Sequence, residues 1–253
     1  ASYCMLACGN EPSGRWVPWV SKFVDYWKAT DPRHVYTGAS VGGSWQWQPH
    51  NQYHVKAGAR GLSWAGSQPE SMSDYRAKID SVKQPYVSHE TGQWCAFPNF
   101  SEIRKYTGVN KAKNFEIFRD ILNDNHMGSM GHDFMMASGK LQAICYKHEI
   151  EKTLRTPDYA GFQLLALNDY SGQGTALVGL LDVFFEEKGY INADDVSAAR
   201  PFRWHVFLNS YIPTTRLSMP TSKFPISEQP LCRKPKRYTA SRMNMAKYTL
   251  TAL

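Results

Sequence analysis

Glu11 and Glu90 are the residues on which a reaction could rest. Each closes a short apolar segment: Tyr3-Cys4-Met5-Leu6-Ala7-Cys8 runs into Gly9-Asn10-Glu11-Pro12, and Tyr86-Val87-Ser88-His89 runs into Glu90. Such segments read as strands, and in a parallel α/β barrel the working groups sit at the C-terminal ends of the strands. Two carboxyl groups facing each other there can cleave a glycosidic bond, one as acid/base and one as nucleophile. Their separation decides the stereochemistry, and spacing along the chain does not give it. In the retaining case Glu90 must be ionised while Glu11 keeps its proton until the leaving oxygen takes it. Once Glu90 is esterified its charge is gone, and Glu11 can serve as base toward water. That chemistry needs no metal and no cofactor.

The elements that must position this pair can be read from periodicity. Trp16, Trp19, Val20, Phe23 and Trp27 recur at helical spacing and stop before Asp31-Pro32. His34 to Ala39 predicts a second strand, followed by a loop carrying Trp45, Trp47, His50 and Tyr53. A short helix around Ser71 to Val82 precedes the strand that ends at Glu90. Beyond an aromatic loop reaching about Asn110, Phe115, Phe118 and Leu122 mark one helix, and Phe134, Leu141, Ile144 and Cys145 another. Gly161 to Leu167 reads as a strand covered on both faces. About five strands precede residue 170, where a closed (β/α)8 barrel needs eight. The expected architecture is therefore α/β, the C-terminal half of a TIM barrel (about strands 4 to 8) over residues 1–196. The chain opens with a strand already under way and no signal peptide, so it is expected to begin inside a longer protein.

The segment Ala1-Ser2-Tyr3-Cys4-Met5-Leu6-Ala7-Cys8-Gly9-Asn10-Glu11 resembles the acid/base segment of family 2 glycoside hydrolases, the β-galactosidase, β-glucuronidase and β-mannosidase group. The resemblance implies that Glu11 is the general acid/base, that Asn10 bonds the sugar 2-hydroxyl, and that Glu90 in Ser88-His89-Glu90-Thr91-Gly92 is the nucleophile. Asn51-Gln52-Tyr53 resembles the segment whose Tyr bonds the nucleophile, and Gly161-Phe162-Gln163-Leu164-Leu165 through Gly172-Gln173-Gly174-Thr175-Ala176 resembles the last barrel strand and its loop. The likeness spans residues 1 to about 192. Leu6, and Leu165 or Leu167, stand where many members carry Trp, which leaves the sugar open. The implied activity is hydrolysis of O-glycosyl bonds by double displacement, β-galactosidase-like and exo-acting, in carbohydrate catabolism. The implied partner is a β-glycoside or oligosaccharide, and the implied parent is periplasmic or secreted, with an N-terminal barrel half and sandwich domains besides this stretch. The competing expectation is a truncated remnant that binds sugar weakly without turnover.

Trp45, Trp47, Trp64 and Trp94 could form a stacking floor for a pyranose or pack the barrel rim, with His50, His54 and His89 as hydrogen-bond partners. Asn10, Tyr53, His54, Trp64, His89, Trp94 and Asn168 make up the expected sugar-binding set. A metal on His50 and His54 is not expected, because Pro49 and Asn51-Gln52 break the helix such a pair needs. His132, Asp133 and Asp169 read as structural or as outer supports of the site, and Met127, Met130, Met135 and Met136 as core fillers. The cysteines, Cys4, Cys8, Cys95, Cys145 and Cys232, are odd in number with no metal-ligand spacing and read as buried free thiols.

The 253 residues, 42% apolar and 13% aromatic, suffice for a sizeable core, and no run of eighteen apolar residues offers a membrane span. The net charge of +7 is uneven: residues 197–253 hold ten of the 29 Lys and Arg but only Glu228 of the 22 acids, a balance of +9 against −2 for the rest. Those bases are scattered among Pro, Ser and Thr rather than gathered on a face, which excludes a nucleic-acid surface. Read one frame over, Leu217 to Phe224 can encode FHADIEV, a strand-like alternation, and the stretch from there through Leu231 can encode a turn. Residues 197–253 are therefore expected to be a frameshifted segment without function, or else a naturally disordered basic tail.

Overall fold

The computed structural model describes residues 3–42, 47–170 and 176–192. The chain divides into units Ala1–Arg200 and Pro201–Leu253, and the expectations placed on 197–253, like Trp45, Cys232 and the Gly172–Thr175 stretch, lie outside the described residues. Within the first unit five strands form one parallel sheet in sequence order: β1 (Met5–Asn10), β2 (Val35–Val41), β3 (His54–Lys56), β4 (Tyr86–Thr91) and β5 (Tyr159–Leu164). The main helices are α1 (Trp16–Thr30), α2 (Arg76–Ile79), α3 (Lys113–Asp124) and α4 (Gly131–Arg155). All five strands run the same way, so their C-terminal ends share one edge of the sheet. Among the described residues no helix is long and apolar enough to cross a membrane.

α1 forms where the aromatic stripe predicts it, but the seam it buries is Val20 and Val24, with Trp19 61% exposed. Gly38 explains the seam: a Cβ there would lie 2.8 Å from the Val20 side chain, so only glycine lets helix and β2 come this close. Loop amides then lock β2 from beyond its end, Asn51 Oδ1 accepting from Gly38 N–H at 2.9 Å and Gln52 Oε1 from Tyr36 N–H at 3.0 Å. The central strands are buried on both faces, as parallel strands must be.

Several expectations are corrected. The first segment is a strand, but β1 lies at the sheet edge with one neighbouring strand among the described residues, which leaves Tyr3 49% and Met5 37% exposed. β3 occupies part of what reads as loop, because a three-residue strand carries no period to detect. The helix expected around 71–82 shrinks to four residues, and β5 begins two residues earlier than its apolar run. Met135 is core, whereas Met127 and Met130 are over a third exposed. Of the thiols, Cys145 is buried and pushed up to about 11 by that burial, while Cys4 and Cys95 are exposed.

The segment 176–192 folds back along the loops that follow β4 and is tied down by charge. Lys105 meets Asp182 and Glu186, each at 2.7 Å, and Lys188 meets Asp169 at 2.7 Å. Beside them Glu102 is 2% exposed and its Oε2 finds no hydrogen-bond partner among the described residues. Burial, then the charges of Asp182 and Asp169, push its carboxyl up to about 7. A carboxyl raised on folding binds protons in the native state between the ordinary value and the raised one, so it costs stability as pH climbs through that window. Glu102→Gln is therefore expected to stabilise the protein by about 3 kcal/mol at pH 8 and by little at pH 4. Melting curves at the two pH values check it, and an equal effect at both would refute the assignment.

Candidate active site

Glu11 and Glu90 stand at the shared C-terminal edge, on strands β1 and β4 that are not neighbours. The β1–β2 ladder runs one residue past Asn10, with Glu11 N–H donating to Ser40 O at 2.9 Å. There the backbone turns: Glu11 has φ 41° and Glu90 φ 53°, a region that side chains rarely adopt. Strained backbone persists where the surroundings impose it, and it gathers at functional sites. In β4 the strain coincides with a register irregularity between Ser88 and Thr91. Regular alternation would send His89 and Glu90 to opposite faces; a bulge re-aims them. His89 Nε2 and Glu90 Oε1 end up 3.7 Å apart.

The result is a compact set: one oxygen of Glu11, one of Glu90 and a ring nitrogen of His89 all lie within 4.8 Å of one another. His89 is 6% exposed, its Nδ1 lies 3.4 Å from Gln163 Oε1, and its Nε2 has no hydrogen-bond partner among the described residues. A buried imidazole nitrogen left open toward two carboxyls is placed to bond a ligand hydroxyl. The same three groups are a donor set that could hold a divalent cation. Against that stands Arg60, whose guanidinium lies 3.3 Å from Glu90 Oε2 and already supplies positive charge.

Arg60 is the site residue that the sequence reading missed. It lies in the loop that follows β3, and one of its terminal nitrogens donates to His89 O at 2.6 Å, Glu90 O at 3.0 Å and Glu90 Oε2 at 3.3 Å. The signal was present as a cation between glycines in Gly58-Ala59-Arg60-Gly61, but it points to the working edge only once β3 is known.

The other expected residues divide. Asn10 ends β1 beside Glu11 and is exposed. Tyr53 and His54 are not brought to the pair. His54 is the first residue of β3, in register with Tyr86 at the start of β4, so both lie at the opposite end of the sheet from Glu90. Tyr53 is core with Val55 and Val87, and His54 meets Gln84, with burial holding its imidazole below the ordinary range. Trp64, in the loop after β3, packs edge-on to His148 of α4. Trp94 donates its indole N–H to Glu149 Oε2 at 2.6 Å. Trp47 meets His54 and Tyr86 edge-on and lies under the Lys56 ammonium, and His50 pairs with Asp25 at 2.8 Å. Asn168 donates to Asp169 O at 2.9 Å in the loop after β5.

No protein-family model matches the chain, and no curated protein matches it. The geometry therefore has to carry the functional reading.

Proposed function

We propose that the chain carries the acid/base and the nucleophile of a retaining, exo-acting β-glycosidase similar to family 2 glycoside hydrolases, and that its parallel sheet is the C-terminal half of a (β/α)8 barrel. The observation that carries the reading is the approach of Glu11 and Glu90 to within 4.8 Å from separate strands. A nearest approach of two carboxylate oxygens this close is compatible with the roughly 5–5.5 Å group separation of retaining pairs, in which one carboxylate acts as nucleophile.

In the first step a Glu90 oxygen bonds to the anomeric carbon as the bond to the leaving oxygen breaks, and that oxygen takes the Glu11 proton. In the second, Glu11 takes a proton from water, the water oxygen bonds to the anomeric carbon, and the ester breaks to restore the Glu90 carboxylate. Arg60 bonds the Glu90 carboxylate and holds it in place, while His89 Nε2, close to both carboxyls, is placed to bond a sugar hydroxyl.

The test is mass spectrometry after incubation with a panel of 2-deoxy-2-fluoro β-glycosides bearing reactive leaving groups. The expected result is one fluoroglycosyl ester on the peptide containing Glu90, and the sugar that labels gives the specificity. A label elsewhere, or none on a folded chain, would sink the proposal. A second reading, sugar binding without turnover, is favoured by β1, which among the described residues has no neighbouring strand on its outer side; binding without a label would support it.

A further inference from the structure

Glu149 lies on α4, 1% exposed, and no step above uses it. Its Oε1 accepts the Gly61 N–H at 2.7 Å; its Oε2 accepts the Trp94 indole N–H at 2.6 Å and the Gly92 N–H at 3.2 Å. These donors come from two different loops at the working edge. Gly61 adjoins Arg60, and Gly92 stands two residues beyond Glu90. One carboxylate thus spans the loop that supplies the arginine and the loop that supplies the carboxyl it pairs with.

The rest of the contact fixes the same peptide from the other side. One helical turn earlier, Tyr146 donates its hydroxyl to Gly92 O at 2.7 Å, so α4 holds both the N–H and the C=O of Gly92. A Cβ at Gly92 would fall 1.9 Å from the Tyr146 ring, and φ is +85°, so no other residue fits this contact. Glu90 itself sits at φ 53°, a conformation that needs outside support. Burial pushes the Glu149 carboxyl above its ordinary range, while the Gly61, Trp94 and Gly92 donors and the Arg60 charge pull it back.

We infer that Glu149 is a positioning residue, which through Gly61 and Gly92 sets the placement of the Glu90 carboxylate against Arg60. The inference rests on the glycosidase reading only for its kinetic consequence; the geometry it asserts is independent of that reading.

The experiment compares Glu149→Gln and Glu149→Asp with the full wild-type chain. Gln offers one acceptor where the carboxylate offers two, so either the Gly61 side or the Gly92–Trp94 side is lost. The first readout is carbodiimide-driven amidation of Glu90 followed by mass spectrometry, relative to Asp120, a 66% exposed carboxylate on α3. It is expected to rise several-fold in E149Q and less in E149D, as the Arg60 pairing loosens. The second is kcat on a reactive aryl glycoside, expected to fall about 10- to 100-fold in E149Q at nearly unchanged KM, with partial rescue in E149D. If E149Q does not fold, E149D carries the same test with smaller shifts. Unchanged Glu90 labelling in folded variants overturns the inference, and so does faster labelling of all buried carboxylates together, which marks a purely structural role. A wild type that neither traps a fluoroglycoside nor hydrolyses any glycoside sinks the glycosidase reading, while the labelling ratio still decides the role of Glu149.

Discussion

Glu90→Ala is expected to lower kcat on a reactive aryl β-glycoside by about 10,000-fold or more, some 5 kcal/mol of transition-state stabilisation. The loss is large because the covalent route disappears entirely. It should not be a folding defect, since Arg60 keeps two partners from this segment, the His89 and Glu90 carbonyls at 2.6 Å and 3.0 Å. Truncation also leaves a space the size of a carboxylate, which azide can enter. With Glu90 gone, azide attacks the anomeric carbon directly, and the glycosyl azide has inverted configuration. Glu11→Ala should behave oppositely on each count. A leaving group that needs no proton still departs, so the first step survives on activated substrates and collapses on poor ones. Azide then attacks the ester on Glu90, and the product keeps its configuration. The two product stereochemistries, read by NMR, separate the roles of two carboxyls within 4.8 Å of each other. A Glu90→Ala variant within tenfold of wild type, or the two stereochemistries exchanged, would overturn the assignment.

The pair itself was legible in the sequence because it follows from one rule: apolar strands that run the same way bring their terminal carboxylates to one edge. β2 and β4 fall where strands are expected, over His34–Ala39 and Tyr86–Glu90, and α1 announced itself by its stripe and the Asp31-Pro32 stop. The rest was hidden for identifiable reasons. β3 is three residues long, and missing it put Tyr53 and His54 at the wrong end of the sheet and left Arg60 in an anonymous loop. His89 and Glu90 are adjacent in sequence, and only the local irregularity in β4 lets both meet Glu11. Glu149 was the least legible. An acid within a helix reads as a solvated face, and its burial makes sense only once donors 55 to 88 residues away are seen to converge on it. Strand ends can be inferred from local pattern, whereas groups that hold two loops together depend on long-range contacts that no local pattern encodes.

The same reasoning makes Lys188→Met the variant with the largest expected effect on stability. Lys188 and Asp169 have side chains only 4% and 2% exposed. The ammonium contacts Asp169 and also donates to Gly179 O at 2.8 Å, while Asp169 Oδ1 accepts the Gly179 N–H at 2.8 Å. Methionine fills a similar volume but leaves the carboxylate buried with a single backbone donor, and breaking a buried pair in this way costs about 3–5 kcal/mol. For a protein of this size that is a fall in Tm of about 10 °C. The loss should reach the site, because the segment it unlatches packs against the elements that hold Gly92: Tyr146 bonds both Gly92 O and Val178 O, and Ala96 N–H bonds Leu177 O. The pH dependence identifies the cause. Burial already raises the Asp169 carboxyl, with the Lys188 charge opposing, so removing the lysine raises it further. Below that raised value the carboxyl is protonated and neutral in the folded state, and the penalty shrinks; the deficit relative to wild type should therefore be larger at pH 8 than at pH 5. Adding Asp169→Asn keeps an acceptor for the Gly179 N–H while removing the unpaired charge, so the double variant should recover part of the loss and its pH dependence should flatten. Chemical denaturation at the two pH values measures the wild type, Lys188→Met and the double variant. A deficit under about 1 kcal/mol at pH 8, or one that does not change with pH, would mean that the pair does not latch this segment.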